Sequence, residues 1–360
     1  MDIKNKNLAL NMIFSFAIII AVIMFPIGLF LEVSQTVVDG AANHGLTTVE
    51  MFKALIYYFE NIDTYVGSEW AFFGLYIFVV AFFVCGIVTL IHSVFLIVFS
   101  IQGMVKPIET EKINNHLVQF SVTLLAYVSI LLGLYFYFLK DVGSRTIGAG
   151  PIILIIDSAC TFIIAAILHL GSESKRATAN KVLDVITSAI AYVGFVLLFL
   201  GPVMVESQLQ EGLIAWIPEI MESITNYASS SSSSTASVMI ALEFSIFGIV
   251  LLAVAFSFIG NVLTNGFGVI MNRRRPANPD FAKSSIVKSS LWLGFTLLGG
   301  IILTITLSNV FEPTKITMAP TMIICIVLAA CSLGLSIANK VIQDKNKPTP
   351  EAQETEVQQA

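Results

Sequence analysis

Apolar residues in this chain fall into eight long blocks: 8–31, 70–99, 117–139, 150–170, 182–205, 238–262, 286–308 and 318–339. A helix needs about 20 consecutive apolar residues to cross a hydrocarbon layer of roughly 30 Å. Each block meets that length, and none carries a Lys or Arg apart from Lys288 near the start of the seventh. The blocks are too long and too uniformly apolar to be strands of a membrane barrel. They predict an all-α polytopic membrane protein with eight transmembrane helices. Two shorter segments show a different pattern. Val49, Phe52, Leu55, Ile56 and Phe59 recur at helical spacing, as do Leu213, Trp216, Ile217, Ile220 and Ile224. Both segments predict amphipathic helices lying on the outer face, over about 47–62 and 212–225.

The blocks repeat in order. Shifted by 173 residues, Asn7, Leu10, Ile13, Ser15, Gly28, Ser34 and Gln35 fall on Asn180, Leu183, Ile186, Ser188, Gly201, Ser207 and Gln208. Further along, Lys106, Pro107, Ser121 and Pro151 fall 169 residues before Arg275, Pro276, Ser290 and Pro320. The change of shift is taken up by the run of serines at 229–234, which reads as a flexible spacer inserted in one copy. Pro151 and Pro320 each open a last span, where a missing N–H has no helical partner to lose. The pattern predicts two four-span repeats, 1–178 and 179–342, followed by a polar tail at 343–360 expected to be disordered. Each copy has an even number of spans. The copies therefore run the same way through the membrane, related by a pseudo-two-fold axis along its normal, an arrangement found among transporters.

Composition agrees with this class: 56% of residues are hydrophobic and 12% charged, against roughly 25% charged in soluble chains, and the mean hydropathy is +0.86. Charge sets the orientation. Fifteen of the 19 basic residues precede span one, follow span eight, or sit in alternate connections with Lys106, Lys175, Arg176, Lys181 and Arg273. Lys and Arg concentrate on the cytoplasmic side of short loops. Both termini are therefore expected in the cytoplasm, with the acidic loops of Glu32, Asp39, Glu50, Glu206 and Glu211 outside a plasma membrane. The four cysteines all lie within spans, so no disulfide framework is expected.

Chemistry is sparse. No phosphate-binding loop, zinc-protease, serine-hydrolase or CxxC pattern is present, so no enzyme activity, cofactor or metal is expected. The expected partners are the lipid bilayer and a further membrane protein or second copy, not nucleic acid. Ionisable groups inside spans are costly and point to function. Two acids lie well inside, Asp157 in span four and Glu243 in span six, each about 10 Å from the outer end at 1.5 Å per residue. They form the candidate intramembrane polar site. His92, His169 and Asn261 are secondary polar positions, and Asn261 is the repeat counterpart of His92. Small residues mark helix-packing surfaces at Gly294 and Gly299 and along Ala330, Gly334 and Ala338. These features predict a permease or transport component for a small solute or ion, working through the interface of the two repeats. The alternative is a non-enzymatic scaffold or assembly protein acting through its outer helices. Four spans with a large first outer loop is similar in layout to tetraspan families such as the claudins, whose outer-loop Trp with paired Cys is absent here.

Overall fold

The structure is a computed structural model that describes residues 3–38, 41–43, 47–60, 69–105, 110–138, 144–171, 177–200, 202–206, 209–212, 279–310, 317–318 and 320–345. The block at 238–262, with Glu243 and Asn261, lies outside them, as do the outer helix expected at 212–225 and the serine run. The described elements are α1 (Ile3–Phe30), β1 (Ser34–Val38), β2 (Ala41–Asn43), α2 (Thr48–Glu60), α3 (Glu69–Val105), α4 (Thr110–Phe138), β3 (Ser144–Ile147), α5 (Ala149–Leu170), α6 (Thr178–Leu200), β4 (Pro202–Glu206), β5 (Leu209–Gly212), α7 (Pro279–Val310), β6 (Thr317–Met318) and α8 (Pro320–Lys345). Five of the described helices contain stretches long and apolar enough to cross a bilayer, within α1, α3, α4, α5 and α8; a shorter apolar stretch, Ser285–Leu298, lies in α7. The protein is thus built of membrane-length apolar helices.

Short strands link the long helices. The described residues include two antiparallel three-stranded sheets, ordered β2-β1-β3 and β5-β4-β6. In the first, Val38 pairs with Ala41, and Gln35 with Thr146. In the second, Glu206 pairs with Leu209, and Val205 with Thr317. The fifth apolar block was expected to stay helical to 205, yet α6 ends at Leu200 and Pro202 opens a strand. Proline lacks the N–H that a continuing helix needs, and the β-branched Val203 and Val205 suit a strand. In each sheet a hairpin following one long helix pairs with a strand that precedes another. The end of α1 and the start of α5 therefore lie on the same side, as do the end of α6 and the start of α8.

Backbones meet closely where α1 and α5 join. Gly148 donates its N–H to the Val33 carbonyl (2.8 Å) and Gly150 to that of Glu32 (2.9 Å). A Cβ at Gly148 would stand 2.1 Å from the Glu32 carbonyl oxygen, and one at Gly28 would stand 2.4 Å from a Leu154 methyl.

Helix α4 forms the centre. It packs against α3, α5 and α6, and Leu117, Phe120, Leu124, Val128, Leu131 and Tyr135 are all fully buried. Its membrane stretch has a mean hydropathy of 2.1, the lowest of the five. A helix walled in by protein tolerates polar residues that a lipid-facing one does not, and α4 buries Asn114, Ser121 and Ser129. Aromatic rings fill the space around it. Phe82 stacks on Tyr127 (4.5 Å), and Phe25 meets Tyr127 edge-on (6.1 Å).

Helix α2 starts with a capping box, in which Thr47 N–H donates to Glu50 Oε2 (2.8 Å) and Glu50 N–H to Thr47 Oγ1 (3.2 Å). Its buried face is Thr48, Met51 and Phe52, with Phe52 against Phe83 of α3 (4.9 Å). Val49 and Ile56, expected on that face, are exposed. Helix α3 spans 37 residues, about 55 Å at 1.5 Å per residue, well beyond a hydrocarbon layer.

Helices α7 and α8 join through hydroxyls. Ser289 Oγ lies 3.2 Å from Ser332 Oγ and 3.1 Å from Ser336 Oγ, and Ser285 Oγ lies 3.1 Å from Ser336 Oγ. In α4 and α5 the corresponding contact is a reciprocal pair: Ser121 Oγ donates to the Ser158 carbonyl (2.7 Å) and Ser158 Oγ to that of Ser121 (2.6 Å). The small-residue ridge, expected to pack within the bundle or between copies, lies mostly on the exposed side of α8. Ala330 and Gly334 are exposed, Ala338 is half-buried, and a Cβ at Gly294 or Gly334 would meet nothing within 4 Å. The buried face of α8 is Met322, Cys325, Ala329, Ser332 and Ser336.

Candidate functional site: a buried carboxylate, imidazole and amide cluster

Helix α6 begins at Thr178, four residues before the apolar block from which it was predicted, so Asn180 and Asp184 belong to its first two turns. Spaced by four, they share one helical face with Ser188. All three are buried, as are Thr187 and Lys181, although Lys181 was expected in a loop. Across from this face stand His169, in the last turn of α5, and Asn339 of α8. His169 Nε2 lies 3.5 Å from Asp184 Oδ2, with both side chains at most 2% exposed. Asn339 donates from Nδ2 to Asp184 Oδ1 (2.6 Å). Asn180 in turn donates from Nδ2 to Asn339 Oδ1 (2.5 Å) and to the Asn339 carbonyl (3.1 Å). The carboxylate of Asp184 thus has an imidazole on one oxygen and an amide on the other. Phe162, Ala166, His169, Asp184, Val185 and Ser188 line a cavity beside the pair with room for about one water.

A buried carboxylate needs compensation, and Asp184 has an amide donor on one oxygen and an imidazole nitrogen near the other. Carboxylate and amide oxygens gathered in this way suit a small, hard cation.

Asp157 sits further along α5, and its side chain is 4% exposed. Among the described residues its Oδ2 has no hydrogen-bond partner. Its backbone carbonyl accepts from Thr161 Oγ1 (2.9 Å). The next residue, Ser158, lies 2.7 Å from the Tyr192 hydroxyl of α6, and Phe162 stacks on the Tyr192 ring (5.0 Å). His169, with Ser158 and Phe162, therefore lines the α5 side that packs on α6. The expected partner of Asp157, Glu243, is outside the described residues, as is Asn261; Gly299 is described only in its backbone. His92 is on the opposite side of α4, with its Nδ1 3.0 Å from Nδ1 of His116.

Asp184 and Asn339 were missed from sequence because each sits at the edge of an apolar block, where a polar residue reads as the membrane boundary. The signal that identifies Asp184 is its spacing from Asn180 and Ser188, which puts three polar side chains on one helical face. His116 was missed for the same reason, one residue before the third block. Among the described residues no three His, Cys, Asp or Glu side chains come together as a metal site. No family model, no curated protein and no solved structure matches this chain.

Proposed function

We propose that this chain is a plasma-membrane permease or transport component that carries a small cation, the proton included, along the junction between two parallel four-span repeats, without enzymatic catalysis. In this reading both termini and the basic loops are cytoplasmic and the two small sheets lie outside. The observation that carries it is the Asp184 cluster. Its imidazole comes from the last helix of the first half, and its carboxylate and amides come from the first and last helices of the second half. Buried ionisable groups inside a membrane bundle mark ion and proton pathways, and parallel repeats place such groups at their interface. The duplication itself is supported by the two sheets, which have the same strand order and the same attachment to a first and a last span.

The test is flux in proteoliposomes of the purified chain, with a pH-sensitive dye inside and an imposed potential or K+ gradient. Wild-type protein is expected to dissipate the gradient, and Asp184→Asn to abolish this while retaining the size-exclusion profile. Equal flux with and without Asp184 would overturn the assignment.

The second reading is a membrane scaffold acting through its outer helices. It is favoured by the close packing of α4, whose membrane stretch is 83% buried. A wild-type protein silent for protons and alkali cations supports that reading.

A further inference from the structure

His92 of α3 and His116 of α4 face each other away from the cluster described above. Their Nδ1 atoms are 3.0 Å apart, the ring centroids 5.2 Å apart and the planes tilted by 53°. Both rings are half-buried. His116 is six residues into α4, about 9 Å from its start, close to the connection that carries Lys106. Phe95 stacks on the outer side of His116 at 4.8 Å and Phe99 lies at 5.3 Å, so the ring is clamped with its Nδ1 aimed at His92.

We propose that His92 and His116 form a two-imidazole site for a divalent transition-metal ion of the Cu2+ or Ni2+ class, completed by water. Imidazole nitrogens are ligands of choice for these ions. Bonds of about 2.0–2.1 Å to two nitrogens 3.0 Å apart subtend about 90° at the metal. That is the angle between adjacent ligands of a square-planar or octahedral ion. A tetrahedral Zn2+ needs the nitrogens about 0.4 Å further apart. Two neutral rings bind the metal through both Nδ1 atoms when each carries its one proton on Nε2, so the ring that donates the Nδ1 hydrogen bond in the metal-free pair takes the other tautomer. His116 is the first residue of its membrane stretch, so the pair lies toward the span end, where water completes the remaining positions. The second half has no counterpart, since the residues 169 positions on are Asn261 and Ser285. The inference is independent of the transport reading.

The test uses the full-length protein purified in detergent without a polyhistidine tag, because its only histidines are His44, His92, His116 and His169. Cu2+ titration followed by electron paramagnetic resonance is expected to show one equivalent bound with coupling to two imidazole nitrogens. His92→Gln and His116→Gln are each expected to weaken binding by about tenfold or more, since losses of 10–100-fold follow removal even of groups behind a ligand. Unchanged binding in the double variant would overturn the site. A measurement that needs no variant guards against misfolding. In the wild-type chain, Ni2+ is expected to protect His92 and His116 from diethylpyrocarbonate, read by mass spectrometry. Equal modification of both with and without Ni2+ also overturns it.

Discussion

Replacing Gly148 by alanine isolates the junction between α1 and α5. Gly148 has φ −75° and ψ 175°, extended backbone that any residue adopts, so an alanine brings no conformational strain. The cost is steric. Its Cβ would lie 2.1 Å from the Glu32 carbonyl oxygen and 2.7 Å from the carbonyl carbons of Glu32 and Val33. These are backbone atoms, fixed by the ends of two long helices, and no side-chain rotation relieves the clash. The helices must separate, which stretches the Gly148-to-Val33 and Gly150-to-Glu32 hydrogen bonds. Two such bonds contribute about 1 kcal/mol each, and overpacking costs about 1–3 kcal/mol more, so the expected loss is about 3–5 kcal/mol. The assay is thermal loss of the monodisperse peak of detergent-purified protein by fluorescence-detected size exclusion. A fall on the order of 10 °C is expected. Gly334→Ala is the matched control, because its Cβ meets nothing within 4 Å and alanine favours a helix interior by up to about 1 kcal/mol. If Gly148→Ala melts together with Gly334→Ala, the close approach described here is wrong.

Three further outcomes follow from other contacts. Ser289→Ala is expected to lower stability by about 0.6 kcal/mol, the mean for interhelical hydrogen bonds in a membrane, because Ser336 still meets Ser285 without it; a loss above about 2 kcal/mol in steric-trapping measurements would contradict this. The Thr47 backbone N–H, followed by its hydroxyl, holds the Glu50 carboxyl below its ordinary value of 4.5. A depressed carboxylate stabilises α2 fully above that ordinary value and loses the contribution as pH falls through the lowered one. Hydrogen exchange at Thr47–Met51, corrected for intrinsic rate, is therefore expected to accelerate only below about pH 4.5, and Thr47→Ala to remove the pH dependence. Asn339→Leu is expected to impair any flux that depends on Asp184 more than Ser336→Ala does, since Asn339 donates to the carboxylate whereas Ser336 meets the serines of α7; equal effects in the proteoliposome assay would count against the cluster.

The membrane helices were legible because hydropathy is additive along the chain. Even the overlong α3 follows from its run of apolar residues, and the capped outer helix from its periodicity. Which helix sits in the middle was not legible, because lipid and protein interior reward the same side chains, and α3, α5 and α6 bury polar residues just as α4 does. The sheets were hidden by their shortness, although Asp39-Gly40 between two β-prone segments is a hairpin signature. Of the candidate site, Asp157 and His169 stood out because they interrupt apolar runs. Asp184 and Asn339 did not, since a polar residue near a span end signals depth and gives no sign of what it faces. Small residues such as Ala330, Gly334 and Ala338 permit close approach without saying to what, and within this chain it is the hydroxyl-bearing face of α8 that meets α7.

The pairing of β1 with β3 has a consequence for how the protein is made. Gln35 and Thr146 are neighbours in space but more than a hundred residues apart in the chain. During synthesis the first helix enters the membrane long before its clasp exists. Until β3 emerges, one edge of β1 has no strand to bond, and unpaired edges attract whatever strand comes first. The clasp closes as α5 follows into the bilayer, so the fourth span acts as the latch that fixes the first. A chain arrested before 144 is expected to hold its helices in the membrane yet leave α1 unsecured, within reach of the quality-control machinery.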